Sequence, residues 1–134
     1  MTAKASRQNP FSGTRRLRGQ TAYLAGLAAE NAVERAYQQM GAQTLETRWR
    51  GKGGEIDMIL QHGTEIVFCE VKKATTFDEG KARLRPQQMQ RIHASASEYL
   101  AKVQDGQLAS VRFDLAVVDE SGQVTIQQSA FSHF

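Results

Sequence analysis

The chain has 134 residues, 40% of them hydrophobic, and carries a formal net charge of +3. This length supports one compact domain whose single core needs neither disulfides nor a structural metal. The only cysteine, Cys69, excludes an intrachain disulfide and is typical of a reducing compartment, so we expect a cytoplasmic protein. No apolar segment has the length of a membrane span, so no membrane partner is expected.

The chain begins with a basic stretch and a long helix. Residues 1–13 contain two turn-forming pairs and predict a disordered basic arm. A helix rich in Ala, Leu and Glu follows from about Thr14 to Met40, and Gly41 is suited to end it. Glu30 flanks its predicted buried stripe, so it is either an ordinary solvated residue or an acid presented to a site. The stripe consists of Ala29, Val33, Ala36, Tyr37 and Met40.

Three strands are predicted next. Thr44 to Arg50 is the first strand, and Lys52-Gly53-Gly54 is a turn. Ile56 to Leu60 and Glu65 to Lys72 are rich in β-branched and aromatic residues. They flank Gln61 to Thr64, which contains a turn glycine, and therefore predict a β-hairpin.

The register of this hairpin decides which side chains meet. A loop of two or four residues predicts Leu60 opposite Glu65 and Asp57 opposite Phe68. Asp57 and Glu70 are then diagonal neighbours, roughly 7–8 Å apart at Cα, which one divalent ion can bridge. A three-residue loop would separate them onto opposite faces. The predicted apolar face is Ile56, Met58, Leu60, Val67, Cys69 and Val71, and the other face is Glu55, Asp57, Ile59, Ile66, Phe68, Glu70 and Lys72.

Charged groups within these strands have two interpretations. Burying carboxylates and a lysine is costly unless they hold a metal or each other. Oxygen ligands suit Mg²⁺ or Mn²⁺, and the single Cys and three His have no zinc-site spacing. The alternative is a strand-surface ion-pair cluster of Asp57, Glu70 and Lys72. Because the apolar residues on the same face need a cover, we expect the first helix, with Glu30, to form a lid over it.

The motifs from Gly26 to Lys72 occur in a distinctive order. An acidic residue on the first helix precedes Trp49-Arg50 and a glycine-rich turn, and the strings Gly54-Glu55-Ile56-Asp57 and Glu70-Val71-Lys72 follow. In this combination the chain resembles the YraN-type family of small bacterial proteins in the PD-(D/E)xK nuclease superfamily. That family is similar to archaeal Holliday-junction resolvases and to restriction-endonuclease cores. The likeness extends from about Arg16 to Asp119.

The resemblance implies a fold as well as a motif. It implies an α/β class with a restriction-endonuclease-like core, in which helices flank a mixed central β-sheet in the order α-β-β-β-α-β-β. The pattern of the remaining chain agrees: Pro86 starts a helix that ends near Asp105-Gly106, and strands are predicted at Val111 to Val118 and Val124 to Gln127. Residues 14–134 are expected to form a single nuclease-like domain.

Matching positions imply roles for five residues. Asp57 and Glu70 would be ligands of Mg²⁺ or Mn²⁺, and Glu30 would be the helix acid that completes the site. Lys72 would orient or activate the attacking water, either as a base or as a positioning cation. Gln88, at the start of the later helix, would lie near the scissile phosphate, although two neighbouring glutamines compete for this role. These competitors are Gln87 and Gln90.

Basic residues flank the acidic strings, which favours contact with nucleic-acid phosphates around an acidic centre. The alternative is a solvated tail and a solvated helix start. Thr75 to Arg85 is predicted to be a polar loop close to the site. Trp49 is expected to pack rather than to stack on a base. The predicted nucleic-acid-binding residues are Arg15, Arg16, Arg18, Lys73, Lys81, Arg83 and Arg85.

These observations predict a metal-dependent endonuclease that hydrolyses phosphodiester bonds in branched or structured DNA. The alternatives are a non-catalytic nucleic-acid-binding protein with a degenerate nuclease site, and a scaffold that docks another protein. A resolvase acts on two opposed strands, which implies a symmetric homodimer. Apolar residues near the C-terminus are candidates for its interface, namely Val124, Ile126, Phe131 and Phe134.

Overall fold

The structure is a computed structural model that describes the backbone of residues 10–103 and 109–131, and side chains from residue 22 onward within these ranges. It is a mixed α/β fold with a five-stranded sheet between helices, as predicted. Its elements in chain order are α1 (Pro10–Gln39), β1 (Gln43–Gly51), β2 (Gly54–His62), β3 (Glu65–Lys73), α2 (Phe77–Ala82), α3 (Pro86–Lys102), β4 (Ser110–Val118) and β5 (Val124–Gln127).

The sheet has strand order β1-β2-β3-β4-β5. Only β3 and β4 are parallel, and the other neighbours are antiparallel. A parallel pair needs a long crossover, which α2 and α3 supply. Because the two strands run in the same direction, the acidic end of β3 lies beside the end of β4.

Each face of the sheet has its own apolar core. On one face Val33 and Tyr37 of α1 pack against Met58, Leu60 and other strand residues. On the other face the cluster combines α3 residues with Phe68 and other strand residues. The prediction that α1 covers the face of Phe68 and Glu70 was wrong. Both helices of the β3–β4 crossover lie on that face, which leaves the opposite face to α1.

The hairpin of β2 and β3 has a two-residue loop, which is one of the two predicted lengths, but the loop is formed by other residues than predicted. Its loop is Gly63-Thr64, since His62 pairs with Glu65 and Leu60 with Val67. The predicted pairings of Leu60 with Glu65 and of Asp57 with Phe68 were therefore wrong by two positions. Gly63 has φ +63° at the first loop position, where a type II′ turn favours glycine. A shift of two residues preserves the faces, and the same register, continued by one residue, sets Asp57 directly opposite Glu70.

The alternation of side chains between the two faces of the sheet fails near Arg48 on β1 and Ile56 on β2. Ile56 belongs to the α3-side core, not to the face of Met58 as predicted. Arg48, which the register sets opposite Asp57, has φ +52°. A left-handed residue in a strand interrupts the two-residue repeat of side chains. Trp49, paired with Ile56, consequently packs in the same α3-side core.

The connection after β3 is more ordered than predicted. Thr75 to Arg85 was expected to be a loop, but it contains α2, capped by Thr76 Oγ1 accepting from Glu79 N at 3.1 Å. A short helix forms there because this cap is available and Gly80 permits close packing. A Cβ on Gly80 would lie 2.7 Å from Val117 of β4.

The ends of the elements also differ from the predictions. Helix α1 begins at Pro10, so the predicted arm is shorter than thirteen residues, and residues 1–9 lie outside the described chain. Met40 is 40% exposed because the turn at Gly41 carries it past the core. The predicted helix end at Asp105-Gly106 falls outside the described ranges. In the part of the chain that is described, no helix has the length and apolar character to cross a membrane.

Candidate active site

A cleft of about 230 Å³ opens where the strand ends of the sheet meet helix α3. Strands β2 and β3 contribute one wall with carboxylates at their ends. The opposite wall is the first two turns of α3, which begins at Pro86. The cleft is lined by Gly54, Glu55, Asp57, Glu70, Gln88, Arg91 and Ile92. The predicted strand acids and the predicted glutamine therefore share one concave site.

Asp57 is fixed by the neighbouring strand. Its Oδ2 accepts a hydrogen bond from the backbone N of Val71 at 2.8 Å. The paired residues of β2 and β3 end at Met58 and Cys69, and just beyond them the Val71 N–H donates to this side chain instead of to the β2 backbone. The Asp57 carboxylate also lies within hydrogen-bonding reach of Glu70, so the two acids can share a proton or a cation.

Glu70 is a buried acid, with its side chain 6% exposed. Burial and the adjacent Asp57 carboxylate together raise its pKa to about 8, and the Lys72 ammonium limits the rise. At neutral pH this pair of carboxylates therefore holds a proton or requires a cation. The prediction that Asp57 and Glu70 converge on one face agrees with this coupling.

Gln88 joins Glu70 to Lys72. Its Nε2 donates to Glu70 Oε2 at 2.5 Å, and its Oε1 accepts from Lys72 Nζ at 3.0 Å. The Lys72 ammonium also lies 3.2 Å from Glu70 Oε2. Since Gln87 and Gln90 are exposed, Gln88 is the glutamine that the fold directs into the site.

Glu30 approaches from the other side of the sheet. Its Oε1 accepts from Arg48 Nε at 2.9 Å, and Arg48 stands opposite Asp57 in the sheet. Burial raises the pKa of Glu30, Arg48 counteracts the rise, and Asp57 adds to it, which sets Glu30 within electrostatic range of the cleft. Across the described residues, however, no three His, Cys, Asp or Glu side chains are grouped as metal ligands. Glu30 is thus paired with Arg48 rather than grouped with the two strand acids.

A glycine-rich turn clamps β2 to α3. Lys52 N donates to Glu98 Oε1 at 2.7 Å, and Ser95 Oγ donates to Gly54 O at 2.8 Å. A Cβ on Gly53 would lie 2.9 Å from the Arg91 carbonyl oxygen and 3.0 Å from Ser95 Oγ. This clamp sets the width of the cleft. Sequence reasoning missed it, although consecutive glycines before a strand signal a close backbone approach.

Four of the predicted nucleic-acid-binding residues lie at the end of β3 and in or beside α2. Arg83 is engaged at the surface, where Nη2 lies 3.0 Å from Glu79 and Nη1 donates to the Lys73 carbonyl. Lys73, Lys81 and Arg85 are exposed. The side chains of three further residues lie outside the description, namely Arg15, Arg16 and Arg18.

Two aromatic residues that were considered for contacts with a base or with a second subunit are part of the core. Trp49 packs edge-on against Tyr99, with ring centroids 5.3 Å apart, so the packing interpretation agrees with the structure. Phe131 is 5% exposed in the α3-side core, which removes it from the predicted dimer interface. Phe134 lies outside the described residues.

A second buried polar cluster lies near the opposite end of β3 and was not predicted. Asp114 is fully buried and accepts from Tyr37 Oη at 2.7 Å and Arg112 Nε at 2.9 Å. Arg112 Nη1 also donates to Glu65 at 2.9 Å. These groups satisfy one another. They tie α1 to β4 and take no part in the cleft.

The chain matches the model of the uncharacterised protein family UPF0102 over residues 29–118. A UPF0102 protein from Ruegeria pomeroyi is 47% identical over 116 residues, covering 87% of this chain and 94% of that protein. A UPF0102 protein from Cereibacter sphaeroides is 47% identical over 114 residues, which cover 85% of this chain and 97% of that protein. A UPF0102 protein from Roseobacter denitrificans is 42% identical over 125 residues, which cover 93% of this chain and 97% of that protein. The matched segment contains every cleft residue, and the chain belongs to the UPF0102 family.

Proposed function

We propose that this protein is an Mg²⁺- or Mn²⁺-dependent endodeoxyribonuclease that hydrolyses phosphodiester bonds in branched DNA. The observation that carries the proposal is that Asp57, Glu70 and Gln88 line one open cleft and that Lys72 Nζ contacts both Glu70 and Gln88. A strand-surface ion-pair cluster would leave both acids solvated, whereas Glu70 is buried and has a raised pKa. Perturbed acids in a cleft are a feature of functional sites.

The donor set fits Mg²⁺ or Mn²⁺. Both strand acids offer carboxylate oxygens, which these ions prefer. Mg²⁺ commonly binds one or two carboxylates and keeps several waters, so a third acid is not required. Asp57 and Glu70 would hold the ion. When bound, it would lower the pKa of a water and offset charge on the phosphate.

Lys72 acts as a positioning cation in this proposal. Its Nζ donates to the Gln88 amide oxygen and lies 3.2 Å from Glu70 Oε2, contacts that suit a positioning role. Gln88 holds that ammonium through Oε1 and holds Glu70 through Nε2, so one amide sets the spacing of both groups. The positive charge then lies beside the reacting phosphate, where charge develops in the transition state.

Glu30 has a secondary role. Because its carboxylate is paired with Arg48, we assign it to fixing the β1 edge next to Asp57, from which it can also reach a bound ion through water. The choice of branched DNA rests on the resemblance to resolvases. It requires two copies of the site, so the proposal includes a symmetric dimer in solution.

The proposal is tested with supercoiled plasmid and with linear, flapped and four-way DNAs in Mg²⁺ or Mn²⁺. The wild-type protein should cleave the branched substrates, and Asp57→Asn and Lys72→Ala should each lower the cleavage rate by roughly 10²-fold or more. Both variants should bind the same DNA in Ca²⁺ with nearly wild-type affinity. Light scattering measures the expected dimer.

Other outcomes decide between the remaining functions. DNA binding that falls with salt, without cleavage in any metal, identifies a non-catalytic binding protein. If the protein neither binds nor cleaves DNA, the remaining interpretation is a scaffold that docks another protein. Cleavage that persists unchanged in Asp57→Asn would locate catalysis away from this cleft and would refute the proposed site.

A further inference from the structure

We propose that Arg91 is the residue through which the cleft binds the phosphate of its DNA substrate. This assignment rests on the proposed function and deepens it by naming the substrate contact. Arg91 lines the same cleft as Asp57, Glu70 and Gln88. It lies three residues after Gln88 on α3, so the two side chains share one face of the helix.

Arg91 is the cation that the cleft leaves uncommitted. The Lys72 ammonium is occupied by Gln88 and Glu70. Arg91 is exposed, and its guanidinium forms no hydrogen bond or ion pair with residues 22–103 or 109–131. Its side chain therefore stands at the cleft wall free to bind a ligand.

The charge of the cleft explains why such a group is needed. Among the residues that the structure describes, three carboxylates line it, those of Glu55, Asp57 and Glu70, and Arg91 is the only lining residue with a positive charge. A phosphodiester that enters would meet net repulsion without a cation beside it. A guanidinium presents paired N–H donors that match two phosphate oxygens, which a single ammonium does not.

The position of Arg91 is set by the glycine-rich turn. The Arg91 carbonyl oxygen lies 2.9 Å from the point where a Cβ on Gly53 would stand. Ser95, one turn later, is bonded to the Gly54 carbonyl. The helix turn that carries Arg91 is thereby held directly against Gly54 at the start of β2, three residues before Asp57. The backbone of Arg91 cannot move away from the acids without breaking this contact.

The test compares Arg91→Gln with Arg35→Gln, an equal change of charge at an exposed residue of α1. The probe is a fluorescein-labelled four-way DNA junction, with Kd measured in Ca²⁺ and KM and kcat in Mn²⁺. Arg91→Gln should raise Kd and KM roughly 10- to 100-fold, and Arg35→Gln less than about threefold. Arg91→Lys should restore part of the affinity, since it keeps the charge but loses the paired donors.

A second measurement excludes a structural explanation. Replacing the scissile phosphate by a methylphosphonate removes its charge, and this should weaken wild-type binding but have little further effect on Arg91→Gln. If the wild-type protein cleaves the DNA and the two variants Arg91→Gln and Arg35→Gln have equal Kd and KM, the assignment is overturned and the proposed function remains intact. Loss of affinity in Arg91→Gln, with a wild-type protein that binds but never cleaves, supports the assignment and refutes the nuclease. A wild-type protein that does not bind this DNA overturns both.

Discussion

Replacing Glu70 by glutamine should stabilise the metal-free protein at alkaline pH. Glutamine has nearly the shape of a protonated glutamate, and it can still accept from Gln88 and Lys72. In the wild-type protein, burial and Asp57 raise the pKa of Glu70 from 4.5 to about 8. A carboxyl that holds its proton more tightly when folded than when unfolded contributes stability below pH 4.5. That contribution is lost as pH rises to about 8.

The size of the effect follows from this change in proton affinity. Each tenfold change in the acid dissociation constant corresponds to about 1.4 kcal/mol. A rise in the pKa of Glu70 from 4.5 to about 8 therefore gives roughly 5 kcal/mol as an upper bound. Rearrangement of Lys72 and entry of water will reduce the value. We therefore expect Glu70→Gln to exceed the wild-type free energy of unfolding by at least about 2 kcal/mol at pH 9, and to match it near pH 4.5.

Urea unfolding in EDTA measures the free energy of unfolding at pH 4.5, 7 and 9 for both proteins. The melting temperature should differ by about 8 °C or more at pH 9, at roughly 4 °C per kcal/mol for a chain of this size. Glu79→Gln, at an exposed acid of α2, is the control and should lack this dependence. Adding Mn²⁺ should raise the melting temperature of the wild-type protein and not of Glu70→Gln.

One result would refute the reasoning. If Glu70→Gln is less stable than wild type by a constant amount at every pH, Glu70 is ionised throughout and is held by the Lys72 ammonium alone. The two carboxylates would then be a structural ion-pair cluster.

Three further predictions test the site and its support. Gly53→Ala should lower the free energy of unfolding by about 1–3 kcal/mol in urea titrations, because the new Cβ meets the α3 backbone. Gly26→Ala, which meets nothing, should be neutral or slightly stabilising, and equal effects would contradict the clamp. Asp114→Ala should cost about 3–5 kcal/mol by removing the buried acceptor of Tyr37 Oη and Arg112 Nε, against less than about 1 kcal/mol for Glu79→Ala. A small loss would mean that the cluster is hydrated. Mn²⁺ binding at pH 7 should release about one proton in calorimetry with buffers of different ionisation enthalpy, and none in Glu70→Gln.

The sequence located the strands of the site but not their pairing. Alternation of β-branched and charged residues predicted both strands of the hairpin. The register depended on which two residues form the loop, and Gly63-Thr64 was chosen by the conformation of one glycine. Asp57 and Glu70 still lie together because the error was an even number of residues.

Both long helices were predicted from the sequence, but α1 was assigned to the wrong face of the sheet. Both α1 and α3 carry an apolar stripe, and a stripe does not state which face of the sheet it will cover. The crossover between β3 and β4 placed α3 over Phe68 and Glu70. Gln88 therefore enters the site directly, whereas Glu30 reaches only the edge held by Arg48.

The amino-acid sequence by itself determined the class of fold, the strands that bear the acids, and the residue types available for oxygen ligation, because these depend on local periodicity and composition. Only the tertiary structure decided which helix closes the cleft, which glutamine faces Glu70, and that Arg91 has no hydrogen-bonded partner among the side chains that the structure describes. Those properties depend on contacts between segments tens of residues apart, such as Ser95 with Gly54, and local patterns carry no information about such distances.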